Sequence, residues 1–125
     1  MNIALHVTAS PHHGQTALSA LRFAQAALAQ GHQVSRVFFS GDGVLNALRA
    51  IGIPGTDRSV NQWQSIACTT ELIACISACM KRGVFDDALS TRYRMPVTLA
   101  EGFIISGLGQ LAESVLVADR VVTFG

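Results

Sequence analysis

Charge is scarce in this 125-residue chain: 14% of the residues are charged, against about 25% in an ordinary soluble domain, while half are hydrophobic. So little charge leaves part of the surface without polar cover, and an oligomer, mixed or not, is expected. No basic block accompanies the net charge of +1, so direct nucleic-acid binding through phosphates has no support. Residues Met1 to Val7 carry neither the cationic start nor the small-residue cleavage site of a signal peptide. No apolar run approaches the ~20 residues needed to cross a bilayer. Three cysteines, an odd number and scattered, make neither a disulfide framework nor a zinc pattern. The expectation is a cytoplasmic protein with reduced thiols and no membrane segment. The length suits one domain, residues 1–125, able to bury about two thirds of its unfolded surface.

What is present is an alternation of strand-like and helix-like segments. Ile3 to Thr8 reads as a buried strand, followed by a loop from Ala9 to Gly14. Gln15 to Gln30 reads as a helix, because Ala17, Leu21, Ala24 and Leu28 recur on one face, and Gly31 supplies its stop. A second strand is expected over Gln33 to Phe39. The turn Gly41-Asp42-Gly43 leads to a short helix from Val44 to Ile51 and a loop from Gly52 to Ser59. A helix over Asn61 to Thr69 precedes a third strand, Glu71 to Cys75, and a short helix, Ile76 to Arg82, stopped by Gly83. A polar excursion through Asp86, Arg92 and Pro96 comes next. Phe103 to Ser106 is a short apolar run, Leu108 to Ala118 a helix, and Arg120 to Phe124 a last strand. Repeated units of this size point to a parallel sheet with helices on both faces.

Cys75 is the candidate catalytic residue. It stands where a buried strand hands over to a helix, at the carboxyl edge of the expected sheet, where α/β sites form. Free backbone N–H groups and the positive end of a helix favour thiolate, the reactive species. Free cysteine is also a common small core residue, and that reading competes.

Other patterns fail on spacing. A cysteine phosphatase loop needs arginine six positions after its cysteine; here that position is Lys81, Arg82 lies one residue too far, and no glycine lies between. Gly107-Leu108-Gly109-Gln110-Leu111-Ala112 matches a dinucleotide fingerprint but lacks the acidic residue about twenty positions on; glycines for a tight turn and close helix packing account for it. Cys79, four residues after Cys75, reads as a packing residue, because regular helix geometry does not favour a bridge at that spacing. Cys68, beside Ile66, reads as core. His12 and His13 lie in the loop after the first strand, on the same sheet edge as Cys75, where a histidine can stabilise a thiolate or take a proton; two solvated loop histidines are the alternative. Lys81 and Arg82 complement the helix C-terminus. Trp63 reads as core, and Tyr93 as a residue for a partner surface.

Several segments together resemble the DsrE/TusD family of sulfur-relay subunits. They are the opening strand, the helix Ala20 to Leu28, Gly31-His32, Val37-Phe38-Phe39 and Asp42-Gly43-Val44. Cys75 with Gly83 eight residues later, Ile105 to Leu111 and Ala118 to Val122 complete the match. The resemblance covers nearly the whole chain. It implies a flavodoxin-like three-layer α/β/α fold with a mainly parallel sheet and no nucleotide or other cofactor. It implies a heterohexamer with TusB- and TusC-like sister subunits, a TusA-like sulfur donor and a TusE-like acceptor. The family's sulfur-carrying cysteine falls on Cys75, which would carry sulfur as a persulfide. The sulfur would go to 2-thiouridine in tRNA or, in the DsrE case, serve dissimilatory sulfur oxidation; the other alternative is a non-catalytic assembly subunit, against which the presence of Cys75 argues. Position 79 is usually alanine in this pattern, Ser40 stands where an aromatic often follows the two phenylalanines, and the Gly52 to Ser59 loop is short.

Overall fold

A computed structural model describes residues 1–49 and 58–125. Five strands, β1 (Asn2–Val7), β2 (Gln33–Phe39), β3 (Glu71–Cys75), β4 (Phe103–Ser106) and β5 (Arg120–Phe124), form one sheet in the order β4-β3-β2-β1-β5. Every pairing is parallel. The strands are short, nearly unbroken apolar runs such as Leu72-Ile73-Ala74-Cys75, as expected of strands covered on both faces. The helices are α1 (Thr16–Ala29), α2 (Arg58–Ser65), α3 (Ile76–Arg82), α4 (Asp87–Tyr93) and α5 (Gly109–Val117).

From β1 to β4 the chain steps steadily in one direction, then returns across the sheet to place β5 beside β1. Right-handed crossovers put the helices of the forward steps on one face and that of the return on the other. The side chains agree. Phe23 of α1 packs on Phe124, and Trp63 of α2 meets Phe39 edge-on, with ring centroids 5.2 Å apart. Arg36, on the opposite face of β2, donates instead to the Gln110 carbonyl of α5 at 2.8 Å. The fold is thus a three-layer α/β/α sandwich whose third layer is thin: α5 stands over β1, β2 and β5 and buries only Ser114.

Local signals explain the boundaries. Helix α1 buries Ala17, Ala20, Leu21, Ala24 and Ala27, and these small side chains let it lie close on the sheet. It ends in a Schellman motif: Gly31 adopts φ 83°, its N–H reaches the Leu28 carbonyl and the His32 N–H that of Ala27. The core is anchored by Phe39, Trp63 and Phe103, with Phe39 and Phe103 centroids 5.6 Å apart.

Several expectations need correction. The segment after β2 is a 3-10 turn, Gly41–Ala47, that gives way at Leu48 to extended backbone; residues 50 and 51 of the expected helix and 52–57 of the expected loop lie outside the described residues. The helix expected over Asn61 to Thr69 is α2, which is already helical at Arg58; turns take over at Ile66. The polar excursion contains α4, capped by the Asp86 carboxylate, which accepts from the Leu89 N–H at 2.9 Å. A Cβ at Gly107 or Gly109 would meet nothing within 4 Å, so close packing does not account for those glycines.

Candidate functional site

Cys75 is the last residue of β3 and the N-cap of α3, with extended backbone angles (φ −64°, ψ 125°). The apolar strand buries it to 4% exposure while its position at the strand end turns the thiol toward the first turn of α3. Its Sγ lies 3.3 Å from the Ser77 hydroxyl. Burial pushes the thiol up, but the Ser77 hydroxyl, the backbone N–H groups of Ala78 and Ser77, and the charge of Arg82 together outweigh it. The Cys75 thiol therefore sits below its ordinary value of 9.0. Anion-stabilising donors at a strand-to-helix junction are what a nucleophilic sulfur requires.

Arg82 is held for this purpose from two sides. Its Nε donates to the Asp42 carboxylate at 2.9 Å, in the turn after β2, and a terminal nitrogen donates to the Ala78 carbonyl at 3.3 Å. It therefore closes the end of α3, as expected from sequence, and also lends its charge to Cys75. Cys79, one turn beyond Cys75, is fully buried, and burial first, then the neighbouring Cys75, pushes its thiol up to about 12. It is a packing residue.

The remaining candidates disperse. His12 and His13 are exposed in the loop before α1, with His12 tied by its N–H to the Ser10 hydroxyl at 3.1 Å; neither is brought to Cys75. Cys68 is exposed in the turns after α2, not core as its apolar neighbours suggested, because the helix ends before reaching it. Trp63 is fully buried, and Tyr93 stacks on Phe85 with centroids 5.7 Å apart. A cavity of about 180 Å³ opens under the loop before α1, lined by Pro11, Gln15, Leu18 and Asn46, and does not include Cys75. Among the described residues no cluster of His, Cys, Asp or Glu could hold a metal ion, and no helix is long and apolar enough to cross a membrane.

Sequence reading missed the polar company of Cys75 on its own face of the sheet. Residues alternate between faces along a strand, and the register places His6 beside Phe38, Phe38 beside Ile73, and Cys75 beside Ser106. Ser40 follows β2 in extended conformation (φ −136°, ψ 165°), so its hydroxyl points to this same face, where His6 Nε2 meets it at 2.7 Å. The signal available in sequence was parity alone: His6 and Ser40 each break an apolar strand at a position facing the same side. Ile104, beside Ile73 on this face, is exposed, as are Ile76 and Met80 of α3 and Leu108 just after β4.

Residues 1–124 match the model of the DsrE/DsrF-like family. A sulfurtransferase TusD of an Enterobacter species is 43% identical over 129 residues, covering 99% of this chain and all of the relative. DsrE of Allochromatium vinosum is 42% identical, covering all of this chain and 99% of the relative. Among solved structures, the ychN protein from E. coli superposes with a TM-score of 0.79 at 24% identity, over 99% of both chains.

Proposed function

The chain belongs to the DsrE/DsrF-like family, and from that premise we propose that it transfers sulfur, with Cys75 as the carrier. The observation that carries the reading is the Cys75 environment: an enclosed sulfur whose thiolate is favoured by Ser77, by two backbone N–H groups and by Arg82. Cys75 thiolate attacks the outer sulfur of a donor persulfide. An S–S bond forms to Cys75, the donor's S–S bond breaks, and the donor leaves as its thiolate. In the second step an acceptor thiolate attacks the outer sulfur, and Cys75 leaves as thiolate. This is thiol–disulfide exchange chemistry, with rates set by the pKa values of attacking and leaving thiols and by access. No net oxidation occurs and no cofactor is required.

The assembly proposed is a heterohexamer with TusB- and TusC-like subunits, fed by a TusA-like donor and emptied by a TusE-like acceptor. What supports an assembly is the apolar surface that α5 and β4 leave uncovered: Leu116 is 86% exposed, and Ile104, Leu108, Val115 and Val117 are more than half exposed. These residues lie on the side of the sheet toward which Cys75 faces. The proposed destination is 2-thiouridine in tRNA. The DsrE relative, equally similar, supports a second destination in sulfur oxidation. Intact-mass spectrometry after exposure to a persulfide donor should show one sulfur added to the wild type and none to Cys75→Ser; equal loading of that variant sinks the assignment. Loss of tRNA 2-thiouridine on deletion of the gene separates the two destinations.

A further inference from the structure

The mechanism above leaves one polar pair on the face of Cys75 without a task. His6 and Ser40 are 34 residues apart in sequence yet share a 2.7 Å hydrogen bond. Both lie among side chains that serve the core: the His6 ring packs at 6.0 Å from Phe38, which is fully buried. Ser40 is one residue beyond the Phe39–Ala74 register pair and Cys75 is one beyond it on the other strand, both in extended backbone. The two side chains are therefore neighbours on one face, across a strand spacing of about 4.8 Å.

The Sγ of Cys75 already has a hydroxyl partner in Ser77. Ser40 has His6 as its partner on the far side from Cys75. A persulfide places its outer sulfur about 2.05 Å from Sγ, within the gap that separates neighbouring strands.

We infer that Ser40 is a hydrogen-bond donor to the outer sulfur of the Cys75 persulfide, and that His6 is the positioning residue that orients it. In this arrangement His6 Nε2–H donates to Ser40 Oγ, which leaves the hydroxyl proton of Ser40 free for the sulfur. The pair acts on the loaded state. Ser77 serves the empty thiolate, so the two serines divide the two states of the carrier between them. No bond is made or broken by either residue. The transfer steps remain those already written, and the hydrogen bond lowers the pKa of the outer S–H so that the carried sulfur is held as an anion.

The inference rests on the persulfide reading, and one experiment separates their failures. Protein loaded from inorganic polysulfide and unloaded protein are each alkylated with iodoacetamide across a pH series. The titrating groups near Cys75 are Arg82 and Cys79 on its own helix, Asp42 behind Arg82, and His6 across the sheet. Ser40→Ala and His6→Leu should each raise the midpoint of the loaded protein by about one pH unit, the worth of one hydrogen bond to a charged group. Both should leave the midpoint of the unloaded thiol in place. Ser40→Thr and His6→Gln, which keep a donor, should restore the loaded midpoint. An unchanged loaded midpoint in Ser40→Ala overturns the inference, as does an equal shift of loaded and unloaded forms. If the wild type takes up no sulfur, or Cys75→Ser takes up as much, the persulfide reading fails and this inference falls with it.

Discussion

Cys75 and Cys79 stand one turn apart on the same short helix, and their surroundings move their thiols in opposite directions. Cys75 at the N-cap meets N–H groups, a hydroxyl and an arginine charge, and goes down; at Cys79, inside the turn, burial and the charges of Cys75 and Asp86 outweigh that of Arg82, and its thiol goes up to about 12. Four residues of sequence separate a thiol shifted down from one shifted up. Peptide mapping after brief iodoacetamide treatment at about pH 8 should find Cys75 and the exposed Cys68 labelled and Cys79 untouched, since only thiolate reacts. Labelling of Cys79 in the folded protein would contradict the assignment.

Ser77 offers its hydroxyl to Cys75 and is itself exposed. Ser77→Ala should therefore leave the fold intact and raise the pH midpoint of Cys75 alkylation, while urea unfolding shifts by less than about 0.5 kcal/mol, as for most surface substitutions.

Arg36 fastens the thin third layer. Its side chain, 11% exposed, donates to the Glu71 carboxylate at 2.8 Å, to the Gln110 carbonyl at 2.8 Å and to the Ser114 hydroxyl at 3.4 Å. Arg36→Met should cost about 1–3 kcal/mol, because charge-assisted bonds are lost, although the Gln110 carbonyl keeps the Ser114 hydroxyl as a donor at 2.9 Å. Arg36→Lys should recover little of it, because one ammonium cannot copy the planar fork. Urea denaturation measures the cost, and hydrogen exchange should localise the loosening to α5.

Trp63 fills the core between α2 and β2, yet its buried indole N–H has no partner among the described residues. Trp63→Phe removes that unpaired donor and keeps an aromatic ring, so it should cost less than about 1.5 kcal/mol. Trp63→Ala should cost about 3–5 kcal/mol through the cavity it leaves. Thermal and urea unfolding of the two variants should differ by the gap between these values.

His6 links stability to pH. Burial lowers its pKa below 6.5, so at mildly acidic pH the unfolded chain binds a proton that the folded chain resists. Its contribution is present above pH 6.5 and is lost as pH falls through the folded pKa. The urea midpoint should drop between about pH 7 and about pH 5, and His6→Gln should flatten that drop. An equal drop in both proteins would assign the acid sensitivity elsewhere.

Much of the site was legible because it is local. The handover from the apolar run Leu72–Cys75 to the helix before Gly83 lies within a dozen residues, and hydrogen bonds within that stretch create the thiolate environment. The alternation of strands and helices was equally readable, because parallel strands buried on both faces are written as apolar runs. Helix α4 was hidden by its polarity; of its residues only Leu89 is buried, and its start depends on the Asp86 cap. Cys68 was misplaced because its surroundings depend on where α2 stops, which neighbouring side chains in sequence do not specify.

By itself the sequence determined the alternation of strands and helices and the position of Cys75 at a strand end, since both follow from periodicity, turn residues and short-range spacing, and its quoted segments carried the resemblance to the family. Only the tertiary structure decided which residues share its face. His6 of β1, Ser40 just past β2 and Ser106 of β4 are distant in sequence, and parallel register, a property of the assembled sheet, sets them on one face with Cys75, Ser106 directly beside it and His6 level with Ile73. It likewise left α5 alone over the far face, because a return crossing after three steps in one direction admits a single helix there. The apolar surface beside Cys75 is the physical consequence.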